Sequence, residues 1–123
     1  LLQPTSPLRT VEQVKEAITL YRDDIDMVVS VMKSHAPAVL CNDNDEGFVN
    51  LVYNKHAGGR QSLPTFYEFN GAIYVINIGA LKQKGLGGFD KRVKYVMSKE
   101  TSIDIDDIYD FMLIEAIKRN KIG

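Results

Sequence analysis

No apolar run in this chain approaches the ~20 residues that a membrane-crossing helix requires, and no signal-peptide pattern opens it. A membrane is therefore not an expected partner. An excess of either charge is also missing: 15 basic and 16 acidic side chains leave a formal net charge of -1. Such a chain has no general basic field to hold a nucleic-acid backbone, so nucleic acid is not expected either. Cysteine is nearly absent. Cys41 alone cannot close an internal disulfide, which fits a reducing compartment, and the cytoplasm is the expected location. No base stands near Cys41 in sequence. His35 and His56 have no spacing that makes them ligands or a catalytic dyad, and they read as surface residues. There is no internal repeat and no low-complexity segment.

What is present is the profile of a globular protein: 123 residues, 45% hydrophobic and 25% charged, enough for one domain or a piece of one. Leu1 and Leu2 read as the end of a strand whose start lies upstream. Pro4 and Pro7 stop regular structure. Thr10 with Gln13 forms a capping-box pattern, and Val11, Val14, Ala17, Ile18 and Tyr21 predict one apolar helix face. "MVVSVM" (27–32) reads as a strand buried on both faces. A turn at 42–47, a strand at 48–54 and a mobile loop at 55–64 follow. "GAIYVINI" (71–78) is a second buried strand, "GALKQK" a short helix and "VKYVM" (93–97) a third strand. The final helix is expected over 107–118, with Ile108, Phe111, Met112, Ile114 and Ile117 as its apolar residues. This order indicates an α/β domain with a mixed sheet. Residues 37–63 read as an arm outside that sheet.

Four stretches hold candidate chemistry. "TSIDIDDIYD" puts four aspartates within seven residues of a helix start. In an extended segment Asp104 and Asp106 point to the same side. Two adjacent carboxylates repel unless a cation lies between them, and Mg²⁺ commonly takes one or two carboxylates plus phosphate oxygens. The alternative is helix capping, for which aspartate is a favoured residue. "QPTSPLR" (3–9) is a strand-end loop before a helix, a place where open α/β sheets bind ligands. Gln3, Thr5, Ser6 and Arg9 supply its donors and acceptors; a plain turn with a helix cap is the alternative. Asn70-Gly71 marks either a turn or an open backbone at a strand entrance. Arg60 is either a solvated loop residue or a partner for a substrate carboxylate. The glycines of "GLGGFD" precede a strand and so do not form a dinucleotide fingerprint.

Taken together, "LLQPTSPLRT", "FNGAIYVIN" and "MSKETSIDIDDIYDFMLIE", in this order and spacing, resemble the acylneuraminate cytidylyltransferase (CMP-sialic acid synthetase) family. The resemblance spans essentially the whole chain. It implies a Rossmann-like nucleotidyltransferase fold, that of the nucleotide-diphospho-sugar transferases, and makes the chain the C-terminal portion (1–123) of one cytidylyltransferase domain, truncated at the N-terminus. The implied reaction joins CTP to a nine-carbon 2-keto acid sugar of the sialic acid type, with release of pyrophosphate. It implies that Gln3, Arg60, Asn70 and Tyr74 bind substrate, and that Asp104 and Asp106 are catalytic and hold Mg²⁺. It also implies a homodimer, with the 37–63 arm reaching the partner's site. Pseudaminic, legionaminic and KDO-type sugar acids are alternative substrates, and a non-catalytic oligomerisation or binding module is an alternative function.

Three departures from the family pattern are visible. No glycine-rich basic loop of the form A-R-x-G-S-K occurs in these residues. Glu68 stands where some members have arginine, and "HAPAVL" carries no basic residue. The 123 residues alone are therefore expected to be inactive, and to self-associate through an exposed sheet edge or to represent a stable proteolytic remnant.

Overall fold

The computed structural model describes residues 1–53 and 64–122, the last two by backbone alone. Two compact units emerge, Leu1–Met32 with Phe69–Gly123, and Lys33–Glu68. Among the described residues no helix is long and apolar enough to cross a membrane.

The first unit is built on a three-stranded sheet in the order β4-β1-β5, where β1 is Met27–Ser34, β4 is Phe66–Ile76 and β5 is Arg92–Val96. β1 and β5 run parallel, from Met27 opposite Arg92 to Val31 opposite Val96. Leu2 adds an antiparallel bridge to Ile73, closed by the Tyr74 N–H on the Leu1 carbonyl at 2.9 Å. The sheet is thus mixed, as the sequence predicts.

β1 lacks hydrophobic alternation because both of its faces are covered. Val28 joins Ala17, Ile25, Ala72, Ile73 and Met97 in one core cluster. Met27, Val29 and Val31 join Ala80 and Phe89 in another. Helix α1, Val11–Thr19, covers the first side. Its N-terminus carries the predicted capping box: the Gln13 N–H donates to Thr10 Oγ1, and the Thr10 N–H donates to Gln13 Oε1. The buried stripe of α1 is narrower than expected. Ala17 is buried and Val14 and Tyr21 half-buried, whereas Val11 and Ile18, at the margin of the stripe, are exposed.

Helix α2, Ile78–Lys84, is capped by Asn77, whose Oδ1 accepts from the Ala80 N–H at 3.1 Å. Its last residue, Lys84, reaches the buried Asp26 at 3.0 Å. Asp26 also accepts from the Asp90 and Lys91 N–H groups at 2.9 and 3.0 Å. Those two backbone donors, then the Lys84 ammonium, hold its carboxyl far below the usual carboxylate range despite burial. A depressed carboxyl pKa contributes stability that is complete above the unfolded value of about 4 and fades as pH falls below it. Asp26→Asn is therefore expected to lower the melting temperature at pH 7 and to flatten its decline in acid. Thermal melts from pH 2 to 8 read both effects.

Helix α3, Ile108–Ile122, departs from expectation. Of its expected core residues only Ile114 is buried; Ile108, Phe111 and Met112 are exposed and Ile117 is half-buried. Apolar residues surround this helix rather than line one stripe, so packing on a single side leaves most of them in solvent.

In the second unit, β2 (Cys41–Asp43) and β3 (Val49–Leu51) form an antiparallel hairpin. β3 is shorter than the strand expected over 48–54. The Asn44 side chain closes the turn by accepting from the Glu46 and Phe48 N–H groups. Glu68 accepts from Ser34 Oγ at 2.7 Å, and His35 and Cys41 are exposed.

Candidate active site

The loop after Leu2 is held against two other segments. One nitrogen of Arg9, Nη1, donates to the Gln3 carbonyl at 2.7 Å and to the Ala72 carbonyl of β4 at 3.0 Å. The Thr5 carbonyl accepts from the Ile105 N–H at 2.8 Å. Ile105 lies between Asp104 and Asp106, so one hydrogen bond brings the strand-end loop beside the carboxylate pair. Two distant stretches singled out in the sequence are thereby joined.

Gly71 sits beneath Gln3 within β4, which begins earlier than expected and runs through Asn70-Gly71 instead of starting there. Its φ of +74° is a conformation that side-chain-bearing residues rarely adopt. A Cβ at this position would lie 2.9 Å from Gln3 Oε1 and 3.9 Å from the Tyr74 hydroxyl. The absent side chain is what leaves room for the Gln3 side chain; the Tyr74 hydroxyl would be at ordinary contact distance. Both line a groove of about 340 Å³ with Met27, Phe69, Ile76 and Arg92. Mostly apolar walls with a few convergent polar groups are the usual makeup of a small-molecule site.

Asn70 is placed differently from Gln3 and Tyr74. It is buried, and its amide is committed internally. Oδ1 accepts from Ser30 Oγ at 2.5 Å and from the Ala72 N–H at 3.1 Å. Nδ2 donates to Ser102 Oγ at 2.9 Å and lies 3.4 Å from Met97 Sδ. Asn70 thus braces the strand beside the groove. Arg60 lies outside the described residues, as does His56.

The four aspartates divide their tasks. Asp107 caps α3: its Oδ1 accepts from the Tyr109 and Asp110 N–H groups, each at 3.0 Å. Asp110 Oδ2 accepts from the Asp106 N–H at 2.9 Å. Asp104 and Asp106 have neither task. Asp104 is half-buried, and its Oδ1 is shut off from solvent with no hydrogen-bond partner among the described residues. Asp106 is exposed, and its pKa is raised first by the charge of Asp104, then by desolvation, then by Asp110 and Asp107. A divalent cation would relieve this repulsion and satisfy the orphaned oxygen. Among the described residues no cluster of three or more His, Cys, Asp or Glu side chains has metal-binding geometry. Two carboxylates with the remaining positions left to water and phosphate oxygens suit Mg²⁺ rather than a closed protein cage.

Sequence reasoning missed Ser30 and Ser102, and it left Arg9 open between a ligand donor and part of a plain turn. The partners of Arg9 at Ala72 and of Ser30 at Asn70 are 63 and 40 residues distant, and no local pattern announces them.

The fold and the site define an α/β domain with a small-molecule groove lined by Gln3 and Tyr74 and, joined to the Gln3 loop through the Thr5–Ile105 hydrogen bond, a segment that carries two neighbouring carboxylates. Comparison with known proteins makes this specific. The chain is 36% identical to the N-acylneuraminate cytidylyltransferase of Escherichia coli O18:K1:H7, over 98% of this chain and 30% of that protein. It is 35% and 34% identical to proteins of the same name from Streptococcus agalactiae serotypes V and III, over 91% of this chain and 28% of each. Across nearly its whole length the chain is therefore homologous to N-acylneuraminate cytidylyltransferases, which are nucleotidyltransferase enzymes, and it spans less than a third of their length. No protein-family model matches it.

Proposed function

We propose that this chain is the C-terminal portion of a cytidylyltransferase domain with a Rossmann-like nucleotidyltransferase fold, acting in the cytoplasm. It contributes the sugar-acid and metal half of an active site that transfers CMP from CTP to a nine-carbon 2-keto acid sugar of the sialic acid type. The anomeric hydroxyl oxygen of the sugar bonds to the α-phosphorus of CTP, the hydroxyl proton leaves, and the bond to pyrophosphate breaks. Gln3 and Tyr74 face the sugar acid, with Arg60 as the basic residue of the arm. Asn70, which the resemblance makes a substrate-binding residue, braces through its bonds to Ser30, Ser102 and Ala72 the strand that carries Tyr74. Asp104 and Asp106 hold Mg²⁺, which when bound offsets charge on the phosphates.

The observation that carries this reading is the Ile105–Thr5 hydrogen bond, which sets the Gln3 loop beside the carboxylate pair. Phosphoryl-type displacement depends mainly on such positioning and on charge neutralisation. Pyrophosphate release by the full-length protein, assayed with CTP, Mg²⁺ and N-acetylneuraminate, tests the reading. Turnover with that sugar supports it. Turnover only with pseudaminic, legionaminic or KDO-type acids reassigns the sugar, and no turnover with any of them refutes the activity.

The hairpin unit supports a homodimer built through the 37–63 arm. Val39, Leu40, Phe48, Val49 and Val52 are exposed there, an apolar set that a second copy would cover. Sedimentation of the full-length protein should give a dimer, and Phe48→Asp with Val49→Asp should shift it to monomer.

A further inference from the structure

Arg9 offers a rigid fork of donors beside the groove, and the obvious use for it is to grip an anionic ligand. The geometry points elsewhere: we infer that Arg9 is a positioning residue that acts on the sugar acid through Gln3. This inference rests on the proposed assignment of Gln3 to the sugar acid. Both hydrogens of Nη1 are spent on backbone carbonyls, one on Gln3 and one on Ala72. These belong to different segments, and each bond is partly buried. Ala72 lies between Gly71, whose missing side chain gives Gln3 its room, and the strand position of Tyr74.

Arg9 therefore fixes the backbone of Gln3 to the strand that carries Tyr74, while Gly71 clears the path of the Gln3 side chain. Pro4 restrains the following turn, and the Ser6 N–H adds a 3.3 Å bond to the same Gln3 carbonyl. The Gln3 backbone is thus set, and the path of its side chain clear, before any ligand arrives. A site held this way loses rate steeply when its support shifts by about an ångström. Lysine cannot reproduce the bracket fully, because an ammonium is a point donor on a flexible stem, whereas one guanidinium nitrogen directs two hydrogens at fixed angles.

The test uses the full-length protein with Arg9→Met, Arg9→Lys, Gln3→Ala and the Arg9→Met/Gln3→Ala double variant. Steady-state kinetics in CTP and in N-acetylneuraminate are measured below each variant's melting transition, with calorimetric titration of the free sugar acid as a readout independent of turnover. Arg9→Met should lower kcat/KM for the sugar acid by roughly 10–100-fold and leave the KM for CTP unchanged, with partial recovery in Arg9→Lys. In the Gln3→Ala background Arg9→Met should cost nothing further. A lower melting temperature with unchanged sugar affinity would overturn the inference, since Arg9 would then be structural only. Independent, additive losses would overturn it too, by showing that Arg9 does not act through Gln3. Unchanged sugar affinity in Gln3→Ala alone would remove the Gln3 assignment, and the inference with it. If Arg9→Met does not fold, Arg9→Lys against Gln3→Ala/Arg9→Lys decides by the same non-additivity.

Discussion

On the proposed assignment, Asp104→Asn and Asp106→Asn are each expected to lower pyrophosphate release by the full-length protein by on the order of 10²–10³-fold or more, the scale of losing one element of charge stabilisation in the transition state. The physical ground is the way the acidic segment apportions its carboxylates. Asp107 and Asp110 are used by backbone N–H groups. Asp104 and Asp106 are left facing each other, one with an oxygen that nothing in the described protein satisfies. Perturbed carboxylates cluster at functional sites, and a bound cation would relieve this repulsion.

The same variants separate a metal site from a helix cap without any assay of turnover. Wild-type protein should melt higher with Mg²⁺ than with chelator, because an ion bound only by the native state shifts the equilibrium by mass action. Asp106→Asn should lose that increment. In chelator it should melt no lower than wild type, since the substitution removes a charge that Asp104 repels. Asp107→Ala is the control: it should cost about 1 kcal/mol, typical of a lost N-cap, and keep the Mg²⁺ increment. If Asp106→Asn behaves as Asp107→Ala does, the carboxylate pair is part of the capping arrangement and the metal assignment fails.

Features governed by residues close together in the chain were readable from sequence. The Thr10–Gln13 box spans three residues, and both of its bonds are in place. The apolar run of β1 implied burial on two faces, and it has it. The aspartate segment was recognisable as either cap or metal site because both need acids at a helix start. Only geometry shows that the cap falls to Asp107 and that the Asp104 and Asp106 carboxylates take no part in it. Illegible features depend on distant partners. Arg9 looks the same in sequence whether it grips a ligand or two carbonyls. Asn-Gly most often means a turn; here Asn70 is pinned by Ser30 and Ser102 from other segments, and the chain continues through Gly71 as strand. The α3 residues failed the stripe expectation because apolar character alone does not say which positions meet a neighbour.

Asn70→Ala is expected to destabilise the fold by on the order of 3 kcal/mol, the effect of leaving two or three buried polar groups unpaired. The hydrogen-bond directions explain why the effect is large. The Ile73 N–H donates to Ser30 Oγ, and Ser30 donates to Asn70 Oδ1. Asn70 Nδ2 donates to Ser102 Oγ, and Ser102 donates to the Ser98 carbonyl at 2.6 Å. Each hydroxyl proton is already assigned, so the chain has one polarity and needs an amide at its centre. Asn70→Asp has nearly the same shape but reverses one end. Its second oxygen faces Ser102 Oγ, which cannot turn its proton inward without abandoning Ser98. Asn70→Asp should therefore be destabilised at least as much as Asn70→Ala at pH 7, and should recover part of the loss in acid, where a protonated carboxyl can again donate. Denaturant titration of the three proteins at pH 7 and pH 5 measures this. The network also reaches, through Ser102, the turn that leads two residues later into Asp104. Loss of Asn70 should consequently weaken the Mg²⁺-dependent rise in melting temperature as well as the fold. A variant that lost sugar binding but kept full stability and the full Mg²⁺ increment would instead make Asn70 a direct substrate contact, as the sequence resemblance implies.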